Sequence, residues 1–169
     1  NVVKPNYSGG YNYDHKSSTS HENNTSSNND SLLAQYKNIL ILAGPQVDIA
    51  EVNSILSFAA ALQAPILADP LSNVRRGYNA AGNRSDKDCI DTSNVVISTY
   101  DAFLADKELW PILKPDCVIQ FGQIVVSKRV QQMVASWDHV EYIEVNPTMD
   151  SMNPMGKTTV HMQASVDVF

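Results

Sequence analysis

The stretch Asn38-Ile-Leu-Ile-Leu-Ala-Gly44, followed by Pro45, constrains the fold more than any other part of this chain. An apolar run without polar alternation, closed by Gly-Pro, suits a strand covered on both faces, as in a parallel sheet layered between helices. The residues that follow agree. Asp48 is placed to cap a helix, with Glu51 behind it in a capping-box arrangement. Val52, Ile55, Leu56, Ala59 and Ala60 then recur at helical spacing, and Pro65 ends the helix. Residues 66–69 form the next strand. Strand, helix and strand in this order make a βαβ unit, whose two strands run parallel.

The alternation continues along the chain. Residues 71–93 read as a polar loop, 95–98 as a third strand and 100–107 as a short helix. A fourth strand covers 116–121 and stops at Gly122. Ser127 suits the N-cap of the helix beyond it, and Val130, Met133, Val134 and Trp137 mark that helix's buried face. Residues 141–146 and 158–163 supply a fifth and a sixth strand. The order predicts an α/β fold, a doubly wound and mostly parallel sheet of about six strands with helices on both faces.

Residues 14–31 contain no aliphatic or aromatic side chain. Such a segment cannot bury enough apolar surface to offset chain ordering, so residues 1–31 are expected to be a disordered Asn- and Ser-rich linker and 32–169 the folded domain. The net charge of −6, without a basic stripe, argues against a nucleic-acid partner. No apolar run approaches the roughly 20 residues that span a bilayer, and the first residues lack the order of a signal peptide. The two cysteines, Cys89 and Cys117, do not form a disulfide framework, which points to a reducing compartment. No cysteine–histidine spacing suits zinc, and His139 and His161 stand isolated, so no metal ligand is expected.

Ligands of open α/β sheets bind beyond the carboxyl ends of the strands, and two stretches present basic pairs there. Ser127-Lys128-Arg129 opens a helix. Cations are poorly placed at a helix N-terminus, and an anionic ligand would relieve the conflict while using the free N–H groups. Arg supplies a planar fork for a carboxylate and Lys a mobile charge, so Ser127, Lys128 and Arg129 are the candidate substrate-binding residues. Their bland reading is the exposed start of an amphipathic helix. Arg75 and Arg76 follow the second strand and are candidates for an anion or an interdomain contact. Asp69 could hold a ribose, but the preferred reading is a turn residue bonding a nearby N–H. Gly44 invites a dinucleotide reading, which the rest of the turn opposes: the glycine fingerprint needs three glycines, and Pro45 has no N–H to offer. No nucleophile with an evident base is visible, so no catalytic residue is assigned.

Taken together, Pro65-Ile-Leu-Ala-Asp-Pro-Leu-Ser-Asn-Val-Arg-Arg-Gly77, Tyr100-Asp-Ala-Phe-Leu104, Lys114-Pro-Asp-Cys-Val-Ile-Gln-Phe-Gly122 and Ser127-Lys-Arg129 resemble the central domain of the MenD family. These are the SEPHCHC (2-succinyl-5-enolpyruvyl-6-hydroxy-3-cyclohexene-1-carboxylate) synthases, and the Ser-Lys-Arg version is most similar to the plant and algal multidomain form. The resemblance implies a Rossmann-like middle domain of a thiamine diphosphate and Mg2+ enzyme of menaquinone and phylloquinone biosynthesis. That transferase decarboxylates 2-oxoglutarate and adds the succinyl semialdehyde unit to isochorismate. The resemblance also implies that cofactor and metal lie mainly on flanking domains, that Lys128 and Arg129 meet substrate carboxylates, and that the enzyme is a homo-oligomer. The isolated domain would be inactive. A plastid location is expected for a eukaryotic source and a cytoplasmic one otherwise. Two alternatives stay open: the central domain of another thiamine diphosphate 2-oxoacid enzyme, and a non-catalytic anion-binding module.

Overall fold

The computed structural model describes residues 33–45, 47–76, 95–147 and 153–164. The expected linker, Cys89 and most of the expected 71–93 loop lie outside the described residues, as does the side chain of Arg76. Six strands form one sheet in the order β3-β2-β1-β4-β5-β6. They are β1 (Ile39–Ala43), β2 (Ile66–Ala68), β3 (Val96–Ile97), β4 (Cys117–Phe121), β5 (Glu141–Asn146) and β6 (Val160–Gln163). Every pairing is parallel. The order runs outward from β1 in one direction through β2 and β3, and in the other through β4, β5 and β6, as the doubly wound reading requires.

The apolar run of β1 is buried because it has strands on both edges and helices on both faces. Ile41 and Ala43 join Ile119, Phe121, Ile143 and Val145 on one face, against helix α1 (Val52–Leu62). Leu40 and Leu42 join Val118 and Tyr142 on the other, against α2 (Tyr100–Phe103) and α3 (Lys128–Ser136). A fully buried side chain of this kind contributes about 1.5–3 kcal/mol, so the central strands hold the fold.

Helix α1 departs from its sequence reading at both ends. Asp48 caps a short 3-10 turn, Ile49–Glu51, by accepting from the N–H of Ala50 at 3.0 Å, and α1 grows from that turn. Its last turn closes at Gln63 in the left-handed region (φ 52°), before Pro65 is reached. The Ala64 N–H returns to the Ala59 carbonyl at 2.9 Å, a Schellman closure without glycine. Val52, Ile55, Leu56 and Ala59 are buried, but Ala60 faces solvent. Phe58 contributes instead, meeting Phe121 edge-on at 6.0 Å.

On the α2/α3 face the indole N–H of Trp110 donates to the Leu104 carbonyl at 3.1 Å. That of Trp137 donates to the Trp110 carbonyl at 2.8 Å. Both rings are buried. The same face carries a polar row that the sequence reading did not anticipate. Gln120 and Glu144 are neighbours across β4 and β5, and both are wholly buried. The Tyr142 hydroxyl donates to Gln120 Oε1, and Thr158 donates to Glu144 Oε2 at 3.0 Å. Burial, then the neighbouring Glu144, holds the Tyr142 hydroxyl protonated well above its ordinary range. Among the described residues no helix is long and apolar enough to cross a membrane.

Candidate active-site edge

The carboxyl edge of the sheet is built by the turns that leave β1, β2, β3 and β4. Gly44 leaves β1, and a side-chain carbon there would overlap the carbonyl oxygen of Gln123. Gly122 leaves β4 with φ +71°, and a Cβ there would lie 2.6 Å from the Pro45 carbonyl oxygen. The two turns are also bonded: the Gln123 N–H donates to Pro45 at 2.9 Å, and the Gly44 N–H to Phe121 at 2.9 Å. A dinucleotide sheet receives pyrophosphate at this switch between β1 and β4. Here the Gln123 carbonyl of the turn after β4 packs directly against Gly44, so backbone closes the turn. Gly44 serves a close backbone contact.

Asp69 ends β2 and is 1 % exposed. Its carboxylate accepts from the N–H of Leu71 at 2.9 Å and from that of Val126 at 2.7 Å. The first bond is the turn the sequence suggested. The second braces the exit of β2 to the loop entering α3, and nothing local in the sequence signals it. The Arg75 guanidinium donates to the Ser98 carbonyl just beyond β3. Asp69, Leu71, Arg75, Tyr100, Val126 and Ser127 line a cleft of about 430 Å3. Burial first, and then Asp69, pushes the Tyr100 hydroxyl up to about 12, so it remains a neutral donor.

The loop from β4 delivers Ser127, whose Oγ accepts from the Val130 N–H at 3.3 Å and caps α3 as the sequence indicated. Lys128 and Arg129 form its first exposed turn. With Asp101 and Gln132 they line a second cleft, of about 370 Å3. Asp101 also lines the first cleft, so it stands between the two.

Asp101 is the residue the sequence reading missed. The Ser127 hydroxyl donates to its Oδ1 at 2.6 Å, and Arg129 Nη1 pairs with its Oδ2. Arg129 Nη1 also reaches the Asp101 backbone carbonyl at 3.3 Å. The Ser127 hydrogen bond above all, helped by the charge and hydrogen bond of Arg129, holds the Asp101 carboxyl below the usual carboxylate range against the opposing effect of burial. For Arg129 the chain itself supplies one carboxylate, a partner that the sequence reading did not include. Lys128 has no partner among the described residues. The structure brings Ser127, Lys128 and Arg129 together, and it places Arg75 on the neighbouring cleft beside Ser127.

Cys117 is no nucleophile. Burial pushes its thiol up to about 12, with Glu141 and Asp116 adding to the rise. Among the described residues no group of three His, Cys, Asp or Glu side chains is disposed to hold a metal ion. With the β1 turn filled by the Gln123 carbonyl, the described residues do not fit a diphosphate–metal pair.

Comparison with known proteins gives a consistent result. A family model described as "Middle domain of thiamine pyrophosphate" matches residues 11–169. A protein of Lactococcus lactis subsp. lactis named 2-succinyl-5-enolpyruvyl-6-hydroxy-3-cyclohexene-1-carboxylate synthase is 42 % identical over 127 residues, which are 75 % of this chain and 20 % of that protein. A protein of the same name from Desulfitobacterium hafniense is 32 % identical over 140 residues, 83 % of this chain and 23 % of that protein. The chain thus spans about a fifth of the length of the curated relatives it matches. Its parallel sheet with a filled β1 turn is the frame on which that match is laid, and the chain belongs to the middle-domain family of thiamine pyrophosphate enzymes.

Proposed function

We propose that this chain is the middle domain of a thiamine diphosphate-dependent SEPHCHC synthase. The parent enzyme decarboxylates 2-oxoglutarate and adds the succinyl semialdehyde unit to isochorismate. In this reading residues 1–31 are a linker. Flanking domains carry the cofactor and Mg2+, and the parent is a homo-oligomer working in a bacterial cytoplasm or a plastid. The observation that carries the reading is the exposed Ser127-Lys128-Arg129 turn at the carboxyl edge of the sheet, beside a cleft. The names of the relatives support it.

The residues of this chain bind and orient. Isochorismate is a dianion, and the carbanion that attacks it is electron-rich. Arg129 takes one carboxylate in its planar fork and Lys128 adds a second positive charge. Together they hold the acceptor in place and screen its charge from the incoming carbon. The N–H groups at the start of α3 add a favourable field for the same anion. The thiamine supplies the carbanion chemistry when bound to the flanking domains. Arg75, tied to Ser98, stiffens the neighbouring cleft wall and stays available to an anion or a flanking domain.

The test uses the full-length parent and follows two half-reactions separately, CO2 release from 2-oxoglutarate and loss of isochorismate. Arg129→Ala should cut isochorismate use by more than about tenfold and leave cofactor binding intact. Two unchanged half-reactions would make the turn an ordinary helix opening. A parent with neither activity would remove the family function. The filled β1 turn weighs against a middle domain that binds an adenine-type cofactor, as the rival thiamine enzyme reading would require.

A further inference from the structure

Arg129 is held by one nitrogen only. Nη1 meets both the carboxylate and the backbone carbonyl of Asp101, while Nε and Nη2 have no partner among the described residues. Those two nitrogens form the side-on edge of the guanidinium, the edge that takes a carboxylate by two parallel hydrogen bonds. Asp101 also receives the Ser127 hydroxyl, and Ser127 in turn caps the Val130 N–H. One carboxylate on α2 thus fixes both the first turn of α3 and the rotation of its arginine. Arg129 is 47 % exposed and Asp101 53 %. An ion pair so exposed adds little stability, so its main effect is geometric.

We propose that Asp101 is a positioning residue for the acceptor. It pins Nη1 of Arg129 so that the Nε/Nη2 edge faces the second cleft and receives a carboxylate of the substrate dianion side-on. The proposal rests on the reading that Arg129 binds that acceptor. It makes a counterintuitive demand. Asp101 is an anion beside an anion site, so by charge alone its removal should tighten binding of a dianion. Positioning predicts the reverse, because a loose arginine must be ordered anew each time substrate binds.

Asp101→Asn places an amide N–H or a weaker acceptor against Nη1 and releases the fork. In the full-length parent this variant should raise KM for isochorismate about five- to tenfold, with kcat within about twofold of wild type. CO2 release from 2-oxoglutarate should not change. Asp101→Glu keeps the charge and both acceptor oxygens on a longer stem, so its KM should fall between the two. Arg129→Ala combined with Asp101→Asn should show no loss beyond Arg129→Ala alone. A KM equal to or below wild type in both Asp101 variants overturns the proposal, as does a further loss in the double variant. If Arg129→Ala itself leaves the acceptor KM unchanged, the reading of Arg129 fails and takes this one with it. If Arg129→Ala is harmful and the Asp101 variants are neutral, only the positioning role is lost.

Discussion

Buried hydroxyls and amides join the aliphatic side chains in holding this domain to one arrangement. Tyr142 and Gln120 are at most 1 % exposed and satisfy each other. Tyr142→Phe keeps the ring and deprives the buried Gln120 Oε1 of its donor. The change should cost about 1–3 kcal/mol, read as a lower urea midpoint at an unchanged slope. A loss near zero would mean that Gln120 finds another donor. None of this pairing was legible in the sequence. Gln120 sits inside an otherwise apolar strand and Glu144 between Ile143 and Val145, and only the register of β4 on β5 makes them neighbours. Asp101 escaped notice for a similar reason. It lies 26 positions before Ser127, and only the packing of α2 beside the start of α3 brings them together. Ser127, Lys128 and Arg129, by contrast, are contiguous, and their cap chemistry is local.

At the scale of elements, sequence and structure agree where one apolar pattern decides the outcome. Strands β1 and β5 run over the residues anticipated, and the apolar run of β1 ends abruptly at Gly44. Helix α3 begins at its Ser127 cap with the predicted face buried. Agreement fails at ends set by backbone geometry, such as the left-handed closure at Gln63, which no residue-type preference announces. The turns after β1 and β4 form a further element whose purpose is visible only in three dimensions. Gly44→Ala would drive a methyl group into the Gln123 carbonyl, and relief requires moving the loop that leads to Ser127. We expect a destabilisation of about 3 kcal/mol by chemical denaturation. A change below about 0.5 kcal/mol would show that the two turns separate at little cost.

At the scale of the whole molecule, alternating strands and helices were enough to foresee a parallel sheet. The side of β1 on which β4 falls was left to packing, and the structure sets it opposite β2. That arrangement creates a switch point whose crevice is then filled. Titration of the chain with NADH or ADP should accordingly give no saturable heat up to about 1 mM ligand. A submillimolar dissociation constant would mean that the two turns part to admit a phosphate.

The two tryptophans of the chain share one layer, beneath the face that carries Asp101 and Arg129. Each donates its indole N–H to a buried carbonyl, and Trp137 is bonded to the backbone of Trp110. The opposite face of the sheet, under α1, has none. The chain's ultraviolet emission is therefore a one-sided gauge: its colour and intensity follow the α2/α3 layer and are nearly blind to the α1 side. An acid that seats against α3 and shifts that layer announces itself optically, without a label.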